Sequence, residues 1–243
     1  MKSLRIKYKF TIIVPLMLLS SLIFGCGKSE DRTPDQARLE LAKMNIKYSE
    51  ASFIDRVKEG DSLAVKLFLL TGMSPNAKDE QGGTALIWAI IKGNTIITII
   101  LIEKGADPNA LATYSQISPL LRKEVKSFSY LVNNANVFKS ANFVTALSCV
   151  IVRYAGKDKL HDREKLVSLF LERGANPNLG AECWRPLLLM VDPVGVGLYP
   201  SDSDMKIIKL LLEKKADPSI TIGGLGKISS LNERLKEIFQ ESK

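Results

Sequence analysis

Residues 79–110 read DEQGGTALIWAIIKGNTIITIILIEKGADPNA, and their spacing decides the fold. Thr84 stands as an N-cap ahead of ALIWAIIK, its hydroxyl placed to accept a backbone N–H of the first helical turn. Leu86, Ala89 and Ile90 recur at helical spacing and share one face. Gly93 ends that helix, because glycine takes a left-handed backbone without a Cβ penalty. Ile97, Ile100 and Leu101 repeat the pattern in a second helix that Gly105 closes. Two short helices result, each with an apolar face that needs a neighbour.

The closing turn supplies the neighbours. Gly105-Ala106-Asp107-Pro108-Asn109-Ala110 echoes Gly72-Met73-Ser74-Pro75-Asn76-Ala77, 33 residues earlier. It returns as Gly174-Ala175-Asn176-Pro177-Asn178, more weakly as Lys215-Ala216-Asp217-Pro218-Ser219, and in degenerate form at Asn134-Ala135-Asn136. A cap-and-leucine landmark precedes each copy after the first: Thr84-Ala85-Leu86, Ser118-Pro119-Leu120, Thr145-Ala146-Leu147 and Arg185-Pro186-Leu187. A fixed period of this size is the mark of stacked units. The pattern resembles the ankyrin repeat, strongly in residues 79–111. The resemblance implies an all-α solenoid of about five units spanning 53–78, 79–111, 112–142, 143–180 and 181–224.

Spacing within the units varies. From landmark leucine to landmark alanine is 20 residues in the second unit but 15 in the third (Leu120 to Ala135), 28 in the fourth and 29 in the fifth. The third unit must therefore hold a shortened helix pair. The fourth and fifth carry additions at 154–163 and 192–204, either recognition loops or neutral ones. Thr33-Pro34-Asp35-Gln36 has the form of a capping box, which predicts a terminal helix within 33–52. Ser230-Leu231-Asn232-Glu233 predicts another within 225–243.

The first 25 residues read differently. Four cations among residues 2–9 precede FTIIVPLMLLSSLIF, an uncharged run of fifteen residues. As a helix it would be roughly 22 Å long, short of the ~30 Å hydrocarbon core, so it reads as the h-region of an export signal. Leu22-Ile23-Phe24-Gly25-Cys26 resembles the lipobox of bacterial lipoproteins. That likeness implies removal of residues 1–25, acyl chains on Cys26, and a short tether over 26–32. Several chains hold where one is marginal, since each buried CH₂ contributes about 0.8 kcal/mol. Gly27 after the cysteine implies the outer membrane facing the periplasm, or the outer face of the cytoplasmic membrane in a host with one membrane.

The formal charge of +8 then shrinks, for without those four cations thirty basic residues face 26 acidic ones. No basic run with interleaved aromatics remains, and nucleic-acid binding is not expected. The one histidine, His161, cannot form a paired-histidine metal site. Gly223-Gly224-Leu225-Gly226-Lys227 fails as a phosphate loop, with Ile228 where Ser or Thr would bind magnesium. No catalytic residue, metal site, cofactor or small-molecule substrate is expected. Cys149 and Cys183 could pair in an oxidising compartment, or serve as core packing in non-equivalent repeat positions.

What remains is an interaction surface. The resemblance implies that hairpin tips and inner helices present Asp79, Glu80, Gln81, Gly83, Ile91 and Lys92 to a protein partner, with Trp88 in the core or at the rim. The sequence is thus read as a non-enzymatic, membrane-anchored module in the cell envelope. A protective or immunity-type inhibitor is the alternative, and an enzyme acting through the 154–163 and 192–204 loops the remote one.

Overall fold

Several helices in the computed structural model start at a side-chain cap. Thr84 Oγ1 accepts from Ile87 N at 3.2 Å, Asp61 Oδ1 from Ala64 N at 3.0 Å and Thr145 Oγ1 from Ser148 N at 3.2 Å. The described residues are 32–113, 115–116, 143–154, 160–180, 185–191, 201–218, 221–222 and 226–227. The chain forms two units, Met1–Thr33 and Pro34–Lys243, and nearly all described residues lie in the second.

Helix α1 is Pro34–Lys43, and among the described residues four helix pairs follow it: α2 Glu50–Glu59 with α3 Ser62–Leu70, α4 Ala85–Lys92 with α5 Thr95–Glu103, α6 Ala146–Arg153 with α7 Leu160–Glu172, and α8 Pro186–Val191 with α9 Asp202–Glu213. Inner helices α2, α4, α6 and α8 pack in a row, as do outer helices α3, α5, α7 and α9. The core runs between the rows through Ile54, Val57, Leu86, Ile90, Leu147, Val150 and Leu187, all nearly inaccessible. Small Ala89 is fully buried in the inner row. Helix α1 packs on α3, so the amino-terminal cap spans 34–43 rather than 33–52, and Ser49 already caps α2.

The order of the stack departs from the sequence reading. Helix α4 packs directly on α6, and Ala146 N donates to Ala110 O at 2.8 Å, as Ala85 N does to Ala77 O at 3.0 Å. Asparagine amides clip successive turns in the same order. Asn76 Nδ2 donates to Gly105 O at 3.2 Å while its Oδ1 accepts from Asp107 N at 2.7 Å. Asn109 does the same to Gly174 O (3.1 Å) and Asn176 N (2.8 Å), and Asn178 to Lys215 O (2.8 Å) and Asp217 N (2.7 Å). The second and fourth units are therefore direct neighbours. The expected third unit, 112–142, does not stand between them. It leaves and re-enters through β1 Leu111–Thr113 and β2 Phe143–Thr145, paired antiparallel with Leu111 opposite Thr145. Lys78 and Thr84 form the equivalent bridge across a five-residue finger. Residues 117–142, where the shortened helix pair was expected, lie outside the described residues.

Replacing residues 112–144 by the finger sequence Asp79–Gly83 is accordingly expected to leave a cooperatively unfolding stack. Circular dichroism checks this, and loss of the thermal transition would show that the segment is needed between α4 and α6.

The additions are also smaller than 154–163 and 192–204. Tyr154 and Arg163 are buried, α7 starts at Leu160 and α9 at Asp202, leaving 155–159 and 192–200 outside the described residues. Ser201 and Asp204 make a reciprocal capping box. Thr221–Ile222 (β3) pairs with Gly226–Lys227 (β4), so Lys227 lies in a strand and not at a helix start. The expected helix within 225–243 therefore cannot begin before residue 228, and residues 228–243 are not among those described.

Gly72, Gly105 and Gly174 close their outer helices at φ +89°, +90° and +89°, and Lys215 holds the same place at φ +66°. A side chain in this region costs about 1 kcal/mol relative to glycine. Lys215→Gly is expected to raise stability by roughly 0.5–1 kcal/mol, measured by chemical denaturation, whereas Gly105→Ala lowers it by a similar amount.

Candidate functional site

The finger between Lys78 and Thr84 is held by one carboxylate. Asp79 Oδ1 accepts from Gly83 N at 2.8 Å and Gln81 N at 3.1 Å, which folds the tip into a tight turn. Asp79 Oδ2 accepts from the Trp88 indole N–H at 2.6 Å and from Lys58 Nζ at 3.2 Å. The Lys58 ammonium also lies 4.2 Å from the centroid of the Trp88 ring, a cation–π contact. The finger is thereby tied to α2 behind it and to α4 beneath it.

Burial pushes the Asp79 carboxyl up, but hydrogen bonds from Gly83, Trp88 and Lys58, with the charge of Lys58, together outweigh it. Its pKa lies below the usual carboxylate value. Ionised Asp79 is thus better stabilised in the fold than in the unfolded chain, where carboxylates titrate near about 3.9. Its contribution is fully present above that unfolded value and is lost as pH falls through the lower folded one. The stability difference between the native chain and Asp79→Asn should be constant near neutrality and shrink below about pH 4. Urea denaturation at several pH values checks this.

The expected surface residues separate into three places. Glu80 and Gln81 are exposed on the finger tip. Gly83 is buried, a correction to its expected place on the surface: an added Cβ would come within 2.6 Å of the Trp88 indole nitrogen and 2.7 Å of the Gln116 amide nitrogen. Ile91 is half-buried against the core, and its carbonyl accepts from Arg153 Nε at 3.2 Å. Lys92 is exposed but ends α4, about 10 Å along the axis from its first turn, so it is not grouped with the finger. Trp88 is half-buried under the finger.

Facing the tip is a set of residues the sequence reading passed over. Glu50, Ala51, Ile54, Asp55 and Lys58 form one stripe of α2, and with 78–81 they line a groove of about 460 Å³. Their spacing of i, i+1, i+4, i+5 and i+8 is the available signal, since it marks one helix face with mixed polarity.

Elsewhere, Cys149 is a free thiol, wholly enclosed in α6, where burial pushes its pKa up to about 12. It serves there as a small apolar side chain. Its suggested disulfide partner, Cys183, lies outside the described residues, as does Cys26. His161 is exposed on the first turn of α7. Among the described residues no group of three or more His, Cys, Asp or Glu side chains could hold a metal ion, and no helix is long and apolar enough to cross a membrane.

Residues 81–112, the finger, helix pair and closing turn just described, match the family model of the ankyrin repeat. That segment is similar to an ankyrin repeat. Curated relatives share the feature: it is 26% identical over 146 residues to an ankyrin repeat-containing protein of Treponema pallidum (59% of this chain, 47% of the relative). It is 32% identical over 75 residues to an ankyrin repeat protein of Rickettsia bellii (30% of this chain, 33% of the relative). A mitochondrial disaggregase of Bos taurus is 28% identical over 163 residues, which is 66% of this chain but 21% of that one. The chain thus spans less than half the length of these relatives. Ankyrin repeats typically carry protein–protein contacts rather than catalysis, and the ankyrin-repeat relatives point to an interaction module of that kind.

Proposed function

We propose that this ankyrin-repeat protein is a non-catalytic interaction module of a bacterial cell envelope, tethered by acyl chains on Cys26 and binding another protein. The observation that carries the binding role is the groove between α2 and the finger, open and lined by exposed polar side chains on a rigidly braced tip. Anchoring rests on the basic start, the short apolar run and the cysteine that follows it. The outer membrane, periplasmic side, is the proposed location in a host with two membranes.

A photo-crosslinking residue at Gln81, in the full chain in its own host, tests the binding role. It should capture a protein that the same residue at Lys66, exposed on the outer helix α3, does not. Equal capture at both sites, or none at Gln81, would remove the finger from the binding surface. Cell fractionation of Cys26→Ser tests the anchor separately: release into the soluble fraction is expected, and retention in the membrane overturns lipidation.

A further inference from the structure

We infer that the α2–finger groove receives a basic segment of the partner protein. The inference rests on the binding role proposed for this groove and specifies its partner.

The argument starts from which charges are already used. Lys58 and Asp79 lie 3.2 Å apart and satisfy each other, with Trp88 against both. Four charged groups remain along the groove: Glu50, Asp55 and Glu80 against Lys78. All four are exposed, and none takes part in a hydrogen bond or ion pair. The free charge is therefore negative by two, on a chain whose residues beyond the basic start are net positive. Carboxylates reach the groove from both elements that line it, Glu50 and Asp55 from the helix and Glu80 from the finger, and Ala51 lies on the same helix face. A segment laid in the groove would meet carboxylates from the helix and from the finger.

Sign and geometry favour a partner bearing lysine or arginine. Their long stems cover apolar surface while the charged ends reach outward to rim carboxylates. Like-charge juxtaposition would penalise an acidic segment, and the same sign turns away nucleic acid and anionic lipid. Exposed rim charges of this kind act mainly on encounter rate and specificity, so the contact should weaken as salt shortens the screening length to below about 10 Å. Lys58 shows the chemistry at work within the molecule, its ammonium held between an aromatic face and a carboxylate.

The test uses the full-length protein in a non-ionic detergent and two labelled peptides, one alternating lysine with alanine and one glutamate with alanine. The lysine peptide should bind, more weakly at higher salt, and the glutamate peptide should not. Asp55→Lys with Glu80→Lys should weaken the lysine peptide about tenfold or more, with unchanged circular dichroism, since neither side chain has a partner to lose. Zero-length carbodiimide coupling should join peptide lysines to Glu50, Asp55 or Glu80 ahead of other carboxylates. No binding, equal binding of both peptides, an unaffected double variant or evenly spread coupling would each overturn the inference. Capture at Gln81 in the host separates the two readings. If a protein is captured and the double charge reversal leaves capture unchanged, the groove still binds a partner but not through basic side chains. If the reversal abolishes capture, the basic segment is supported.

Discussion

Phe68→Ala is expected to lower the stability of the amino-terminal part of the stack by about 4 kcal/mol. Phe68 is fully buried in α3, with its ring 5.6 Å from Tyr48 and 5.5 Å from Phe53, so it joins α3 to the segment before α2 and to α2 itself. Tyr48 is in turn fixed by its hydroxyl, which donates to Thr71 O at 3.2 Å, and by the Arg38 guanidinium 5.1 Å from its ring centroid. Alanine removes the ring contacts and leaves a void that the surrounding helices fill only in part. For a chain of this size the loss corresponds to roughly 8–16 °C in Tm. Hydrogen exchange should show α1, α2 and α3 opening before α6 and α7. A uniform change along the stack, or a loss under about 1 kcal/mol, would show that the three rings do not hold that end together.

Arg163→Ala is expected to cost about 3 kcal/mol at the other end. Arg163 is 5% exposed on α7 and its guanidinium pairs with Asp204 of α9. Truncation removes the buried stem and the pairing of two neighbouring outer helices. Asp204 would still accept from Ser201 N and Oγ, which keeps the cost below that of a fully orphaned buried charge. Arg163→Met, which restores the stem without the charge, should recover part of the loss. Recovery of all of it by methionine would assign the effect to packing alone. Thermal denaturation of both variants, followed by circular dichroism, distinguishes the outcomes.

The unit itself was legible in the sequence because its signals are local. Thr84, Gly93 and Gly105 fix where helices start and stop within a few residues, and the apolar period fixes their faces. The finger tip was legible for the same reason, since Asp79 folds it through residues two and four positions on. The site was only half legible. Glu80 and Gln81 were placed on the surface by turn position, whereas Gly83 lies buried against Trp88 and Gln116, and Gln116 is 33 residues away. Lys58 joins the site across 21 residues, a pairing that no spacing rule of helix or turn encodes.

Sequence alone determined that this chain is built of capped helix pairs with a repeated turn, and it marked where that repeat weakens. It could not say which units touch, because stacking depends on matching two faces and two turns at once. Only the tertiary structure decided that Asn109 clips Gly174, that α4 packs on α6, and that β1 pairs with β2 at that junction. The physical reason is that a neighbour is chosen by the buried area and hydrogen bonds that a whole helix pair can offer.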